Sequence, residues 1–169
     1  MSAPYNVGFQ HHAGSAAGGR LMQSSYDGLF LVGRVIMASI FVQSGFGKLL
    51  DLGGFAANLA SKGVPFADVM SVIGASIEFF GGLAVLLGWQ TRYAAALIAV
   101  FTIVATCISH RYWEFSGAAR RAQEVNFNKN VCIVGGYLLL LATGSGRFSL
   151  DGFLQKIRKG ETATARMID

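Results

Sequence analysis

Glu78 places one carboxylate in the middle of an apolar run from about Phe66 to Gly88. That run is long enough to cross a bilayer, which takes roughly 20 helical residues. A carboxylate at that depth needs a polar partner, a water-filled cavity or a proton. The side chains that can serve it are few: Lys48, His110, Lys129, Asn130 and Gln43, each near the end of an apolar stretch or just inside one. A buried acid with a lysine or histidine beside it can bind and release protons. It can also hydrogen-bond the carbonyl or hydroxyl of a quinone-like ring. Glu78 and His110 are the candidates for proton relay. Gln43, Lys48, Lys129 and Asn130 are the candidates for holding a polar headgroup. The competing reading has equal weight: the same residues form an internal hydrogen-bonded network that only fixes helix packing.

The elements that must position these groups are membrane spans. The chain has 169 residues, 53% hydrophobic and 14% charged, with a mean hydropathy of +0.47. A soluble domain carries about 25% charged residues. The apolar residues also come in long blocks. The expected fold is therefore all-α, an integral membrane antiparallel four-helix bundle. Residues 1–27, rich in Gly, Ala and Ser, read as a flexible tail, 28–150 as the transmembrane domain, and 151–169 as a basic C-terminal tail. The spans run from about Gly28 to Leu50, Phe66 to Gly88, Tyr93 to His110 and Asn128 to Thr143. A short amphipathic helix around Phe55 to Ala60 is expected in the first connection.

Small residues point the functional faces inward. Arg34, Ala38, Phe41, Gly45 and Lys48 share one face of the first span, and Gly74, Glu78 and Gly82 share one face of the second. Gly45 lets a neighbouring helix approach closely. Arg34, near a membrane boundary, is expected to snorkel to the headgroups. Antiparallel packing of four spans then brings Lys48, His110, Lys129 and Asn130 to one side of the membrane. Gln43 lies about 7 Å deeper than Lys48 by helical rise, and Glu78 deeper still. The result is a polar funnel closing on a carboxylate.

Other features exclude functions. The net charge of +5 is spread over tails and loops, which fits membrane orientation and the lipid bilayer as partner, not nucleic acid. Arg20, Arg92 and five cations of the C-terminal tail lie on the side of both termini, against Lys62, Arg111, Arg120 and Arg121 on the other. That bias puts both termini in the cytoplasm. Cys107 and Cys132 form no CxxC and read as small buried core residues. His11 and His12, adjacent and without a third ligand, read as solvated tail residues and not as a metal site. His110 is the only histidine near a span, so bis-histidine haem ligation within the spans is unavailable.

From Gly33-Arg34 to Leu150-Asp151 the chain resembles the DoxX family of small bacterial membrane proteins. The resemblance rests on Arg34 with Phe41-Val42-Gln43-Ser44-Gly45-Phe46-Gly47-Lys48, then Gly63-Val64-Pro65, then Glu78-Phe79-Phe80-Gly81-Gly82 followed by Gly88. It continues through His110, Asn128-Lys129-Asn130 and Gly135-Gly136 to Gly144-Ser145-Gly146-Arg147-Phe148-Ser149-Leu150-Asp151. It implies a multi-pass inner-membrane protein with four helices and a link to redox chemistry. Its fullest form is the membrane subunit of a quinone-linked oxidoreductase or thiol-stress complex, with a quinone as cofactor and a soluble redox protein as partner. A non-catalytic membrane scaffold or assembly partner is the alternative, and a small-solute or lipid transporter a second. Oligomerisation is compatible with each.

Overall fold

A computed structural model describes the backbone of residues 11–165 and the side chains of residues 26–160. His11 and His12 lie outside the described side chains. Helices joined by short turns make up the described residues, with no strand among them. Four helical stretches are long and apolar enough to cross a membrane: Tyr26–Leu50, Ala67–Leu87, Thr91–Glu114 and Gly117–Thr143.

The first span belongs to α1, His11–Leu50, so the helix starts well before Gly28 and takes in much of the segment read as a tail. Helix α2, Leu52–Ser61, follows after one residue. Asp51 caps it, its side chain accepting from the Gly54 amide at 2.9 Å. The second span is made of three pieces in continuous sequence. They are α3, Ala67–Ser76, a π-helical turn, Ile77–Gly81, and α4, Gly82–Leu87. The third span is α5, Thr91–Ser109, followed by a short 3₁₀ turn at Tyr112–Glu114. The fourth is α6, Gly117–Thr143. It starts at Gly117 and not near Asn128. The polar segment between His110 and Asn128 is instead mostly the first turns of this helix, exposed but built from helix formers such as Ala118, Ala119, Arg120, Arg121, Ala122 and Glu124. Helix α7, Leu150–Ala165, occupies the basic C-terminal segment.

The bundle core is small-residue rich. Ala38 and Phe41 of α1, Val85 of α4, Ala94, Ala95, Ile98 and Ala99 of α5, and Tyr137 and Leu140 of α6 form one cluster. Alanines on α5 bring its axis close to its neighbours, the way helices pack where lipid removes any hydrophobic drive. Tyr137 fills the centre edge-on to Phe41, with ring centroids 5.4 Å apart, and donates to the Met37 carbonyl at 3.2 Å. Leu29, Ile36, Phe80, Val100 and Leu139 face outward, as lipid-facing residues do. Cys107 and Cys132 are free and also face outward. They are not core residues, because α5 and α6 turn their threonine, alanine and tyrosine faces inward.

The end of the bundle opposite Lys48 is closed by a clamp. Arg34 does not snorkel. It is buried and donates to the backbone carbonyls of Ser145 and Phe148 at 2.8 and 2.7 Å. Gly88 has a φ of +69°, and a Cβ there would collide with Arg34 Nη1, so glycine serves both the turn and the close approach. Asp151 reaches back to cap α5. It accepts from the amides of Gln90 and Thr91 and from the Thr91 hydroxyl, at 2.8 to 2.9 Å. Gln90, at a φ of +48°, makes no side-chain cap of its own. Burial works against the Asp151 carboxylate. The Thr91 amide and hydroxyl, the Gln90 amide and the Ser145 hydroxyl outweigh it, so the group titrates below the usual carboxylate range.

A lowered folded-state pKa means that the contribution of Asp151 is complete above the unfolded carboxylate's value. It is lost as pH falls through the folded one. Asp151→Asn is expected to cost about 1 kcal/mol at neutral pH, the worth of a helix cap. It should also flatten the acid side of the pH–stability profile below about pH 4. Thermal unfolding in detergent across pH measures both.

Candidate functional site

At the other end, Lys48 and Glu78 meet. Lys48 is in the last turn of α1 and Glu78 is the second residue of the π turn. Lys48 Nζ lies 2.5 Å from Glu78 Oε2, and Glu78 is only 6% exposed. Ser44, one helical turn before Lys48, turns its hydroxyl to both Glu78 oxygens at 3.4 and 3.5 Å. The two backbones are close because Gly45 has no side chain. A Cβ there would collide with the Phe79 nitrogen and lie 2.9 Å from the Glu78 carbonyl carbon. On the other side of the turn, a Cβ on Gly81 would lie 2.8 Å from Ile98 Cδ1 of α5, and on the α1 side one on Gly82, just past the turn, would lie 2.9 Å from Phe41 Cβ. Gly74, also buried, has Phe55 and Phe101 next to it. The face bearing the acid therefore packs on protein.

The π turn inserts an extra residue into the helical repeat, a feature frequent at functional sites. It aims Glu78 at α1 while Phe80 faces outward and Phe79 packs between Phe46 and Phe80. Ring centroids are 6.0 Å apart for Phe46 and Phe79 and 5.2 Å apart for Phe79 and Phe80.

Lys48 also lines an open cleft of about 550 Å³. Gln43, Lys48 and His110 line it, together with Ser44, Asp51, Phe55, Asn58, Lys62 and Ser109. Helix α2 folds over this end and sets Phe55 against Lys48, with Nζ 4.9 Å from the ring centroid. Lys62 donates to Asn58 Oδ1 at 2.8 Å and to Ser109 Oγ at 3.1 Å. Burial, and then the charges of Lys48 and Arg111, push the Lys62 ammonium below the usual lysine range. His110 closes the end of α5, and its Nδ1 is 2.8 Å from Gln123 Oε1 on α6.

The structure thus brings together Gln43, Lys48 and His110 at one cleft, which Glu78 does not line but meets through Lys48 and Ser44. It does not bring Lys129 or Asn130 there. Lys129 is exposed on α6. Asn130 donates to Thr106 Oγ1 at 2.8 Å and ties α6 to α5. Sequence reasoning misses Ser44, Asn58, Lys62 and Ser109 as members of the site. For Ser44 a signal exists, since it precedes Lys48 by four residues and shares its face. The others depend on how α2 folds back, which residue spacing does not encode. Among the described residues no group of three or more His, Cys, Asp or Glu side chains could hold a metal ion.

Comparison with known proteins agrees with this architecture. The DoxX family model matches residues 29–111, which include Lys48, the π turn and His110. The inner membrane protein YphA of Escherichia coli strain K12 is 36% identical over 123 residues, which is 73% of this chain and 88% of the relative. The chain belongs to the DoxX family. A second relative, the inner membrane protein YqjF of the same strain, is 37% identical over 126 residues, covering 75% of this chain and 92% of YqjF. The ER-derived vesicles protein ERV29 of Saccharomyces cerevisiae is 27% identical over 105 residues, 62% of this chain but 31% of ERV29. No solved structure matches the chain. This DoxX protein is a multi-pass inner-membrane protein with four apolar spans.

Proposed function

We propose that this DoxX protein is the membrane subunit of a quinone-linked oxidoreductase. The cleft that Lys48 lines receives the quinone headgroup. The observation that carries the reading is a buried Glu78 on a π turn, paired with a Lys48 that lines an open cleft of polar side chains. A soluble partner protein supplies two electrons. The ring takes up those electrons and two protons to become the quinol. Lys48 is placed to donate a hydrogen bond to a ring oxygen, and Glu78 to take and return the proton. His110 and Lys62, at the rim, face the aqueous side from which protons are replaced. The row of Phe46, Phe79 and Phe80, tilted and edge-to-face to one another, offers an aromatic apolar surface to a ring arriving from the lipid.

The test is to isolate the protein together with its native lipid, without detergent, and extract the bound quinone. Wild type should carry quinone at a level well above the surrounding lipid, and Lys48→Met should lose it. Equal quinone in both would end the reading. A scaffold role is favoured by one observation: the ion pair and Gly45 both join α1 to the π turn. Under that role quinone is absent and Glu78→Gln is silent.

Both termini are proposed to be cytoplasmic, on the seven-to-four excess of cations on their side. The cleft then opens outward. A reporter active only in the cytoplasm should be active when fused after Asp169, and one active only in the periplasm should be silent. The opposite pattern would invert the molecule and leave the site unchanged.

A further inference from the structure

Helix α7 carries an apolar stripe that no part of the described chain covers. Leu150, Phe153, Leu154 and Ile157 follow the three-four spacing of one helix face and are 42%, 60%, 46% and 43% exposed. Lys156, Arg158 and Lys159 stand on the same helix off that stripe. Asp151, Leu154, Gln155 and Arg158 line a cleft of about 660 Å³ shared with Phe30 of α1 and with Arg92 and Tyr93 of α5. The helix therefore has three sides: one toward the bundle, one apolar and one basic.

The start of α7 is fixed relative to the spans. Asp151 is bonded to Thr91, the first residue of the third span, and the preceding loop is clamped by Arg34. The first turn of α7 thus sits level with the ends of the third and fourth spans. Tyr26, Trp89 and Tyr93 are exposed at this same end, where interfacial aromatics collect. The apolar stripe continues the lipid-facing surface of Phe30 and Tyr93 through their common cleft with Leu154.

We propose that α7 lies in the plane of the membrane and docks on the anionic leaflet of the bilayer that the chain spans. The stripe sinks among the acyl chains beside the bundle. The lysines reach the phosphates, which a short charged helix near the surface does at close range. Acidic headgroups are the occupant because the stripe is rimmed by cations, and because it continues the outward-facing apolar surface of the spans.

The full-length protein, placed in bilayer nanodiscs of phosphatidylcholine alone or mixed equally with phosphatidylglycerol, tests this by amide hydrogen exchange over residues 153–160. Exchange should be at least about tenfold slower with phosphatidylglycerol. High salt should remove the difference. The double variant Lys156→Gln, Lys159→Gln should lose it as well, while the amides of the four spans stay protected. Phe153→Ser should weaken protection in both lipids. Equal exchange in the two lipids overturns the proposal. So does protection that follows the number of protein copies per disc and not lipid charge, which would assign the stripe to a second copy of the chain.

Discussion

Glu78→Leu is expected to lower bundle stability by roughly 1–3 kcal/mol, because it leaves Lys48 and Ser44 facing an apolar side chain. The figure stays below that of a fully buried pair, since Lys48 is 30% exposed and water reaches it through the cleft. Glu78→Gln separates structure from chemistry. The amide keeps the shape and can still accept from Lys48, so insertion and folding should be near normal. It cannot titrate, so any step that passes a proton through Glu78 should stop. The pair Lys48→Met, Glu78→Leu should be milder than either single change, because no charge is left without a partner. Chemical unfolding in mild detergent gives the stabilities, bound quinone gives the occupancy of the site, and reduction of that quinone gives the proton step. A stable, quinone-loaded Glu78→Leu protein would contradict both the proposed site and the structural pair.

Gly45→Val is expected to do as much damage by a different route. The added atoms meet backbone, not a side chain that can swing away, and the first new carbon would collide with the Phe79 nitrogen. Helix α1 must then move off the π turn, at a cost of about 1–3 kcal/mol or more. The move also pulls Lys48 and Ser44 away from Glu78. Gly47 is the control. It lies two residues along the same helix, and a Cβ there would have nothing within 4 Å, so Gly47→Ala should be neutral. If Gly45→Val unfolds no more easily than Gly47→Ala, α1 and the π turn do not pack as described.

The two experiments differ in what they read. A loss of quinone reduction in Glu78→Gln, with folding and bound quinone intact, points to proton chemistry. A loss of stability in Gly45→Val reports only the helix contact that sets the geometry. The lipid dependence of α7 lies at the opposite end of the bundle and should be unchanged in both.

Composition and block length are enough to make this chain a membrane bundle of four helices. A long apolar block can satisfy its backbone in lipid only as a helix, and four such blocks joined by short connections must run antiparallel. The acid in the second span is equally legible, because a carboxylate amid apolar residues is costly wherever the helix turns. So is the role of Gly45, since a small residue on a polar face marks a close helix contact. Partner choice, by contrast, comes from packing. Arg34 lies at a boundary, where snorkelling and a buried clamp cost similar amounts, and the carbonyls of Ser145 and Phe148 settle it. Asn130 sits at the right depth for the cleft, but α6 rotates it onto Thr106. The π turn at Ile77–Gly81 leaves no residue signal, because one added residue per turn changes hydrogen-bond register and not composition. Spacing fixes which residues share a helix face. The rotation of that face about its own axis is set by packing against neighbours far away in sequence, and that rotation places Lys48, not Lys129, against Glu78.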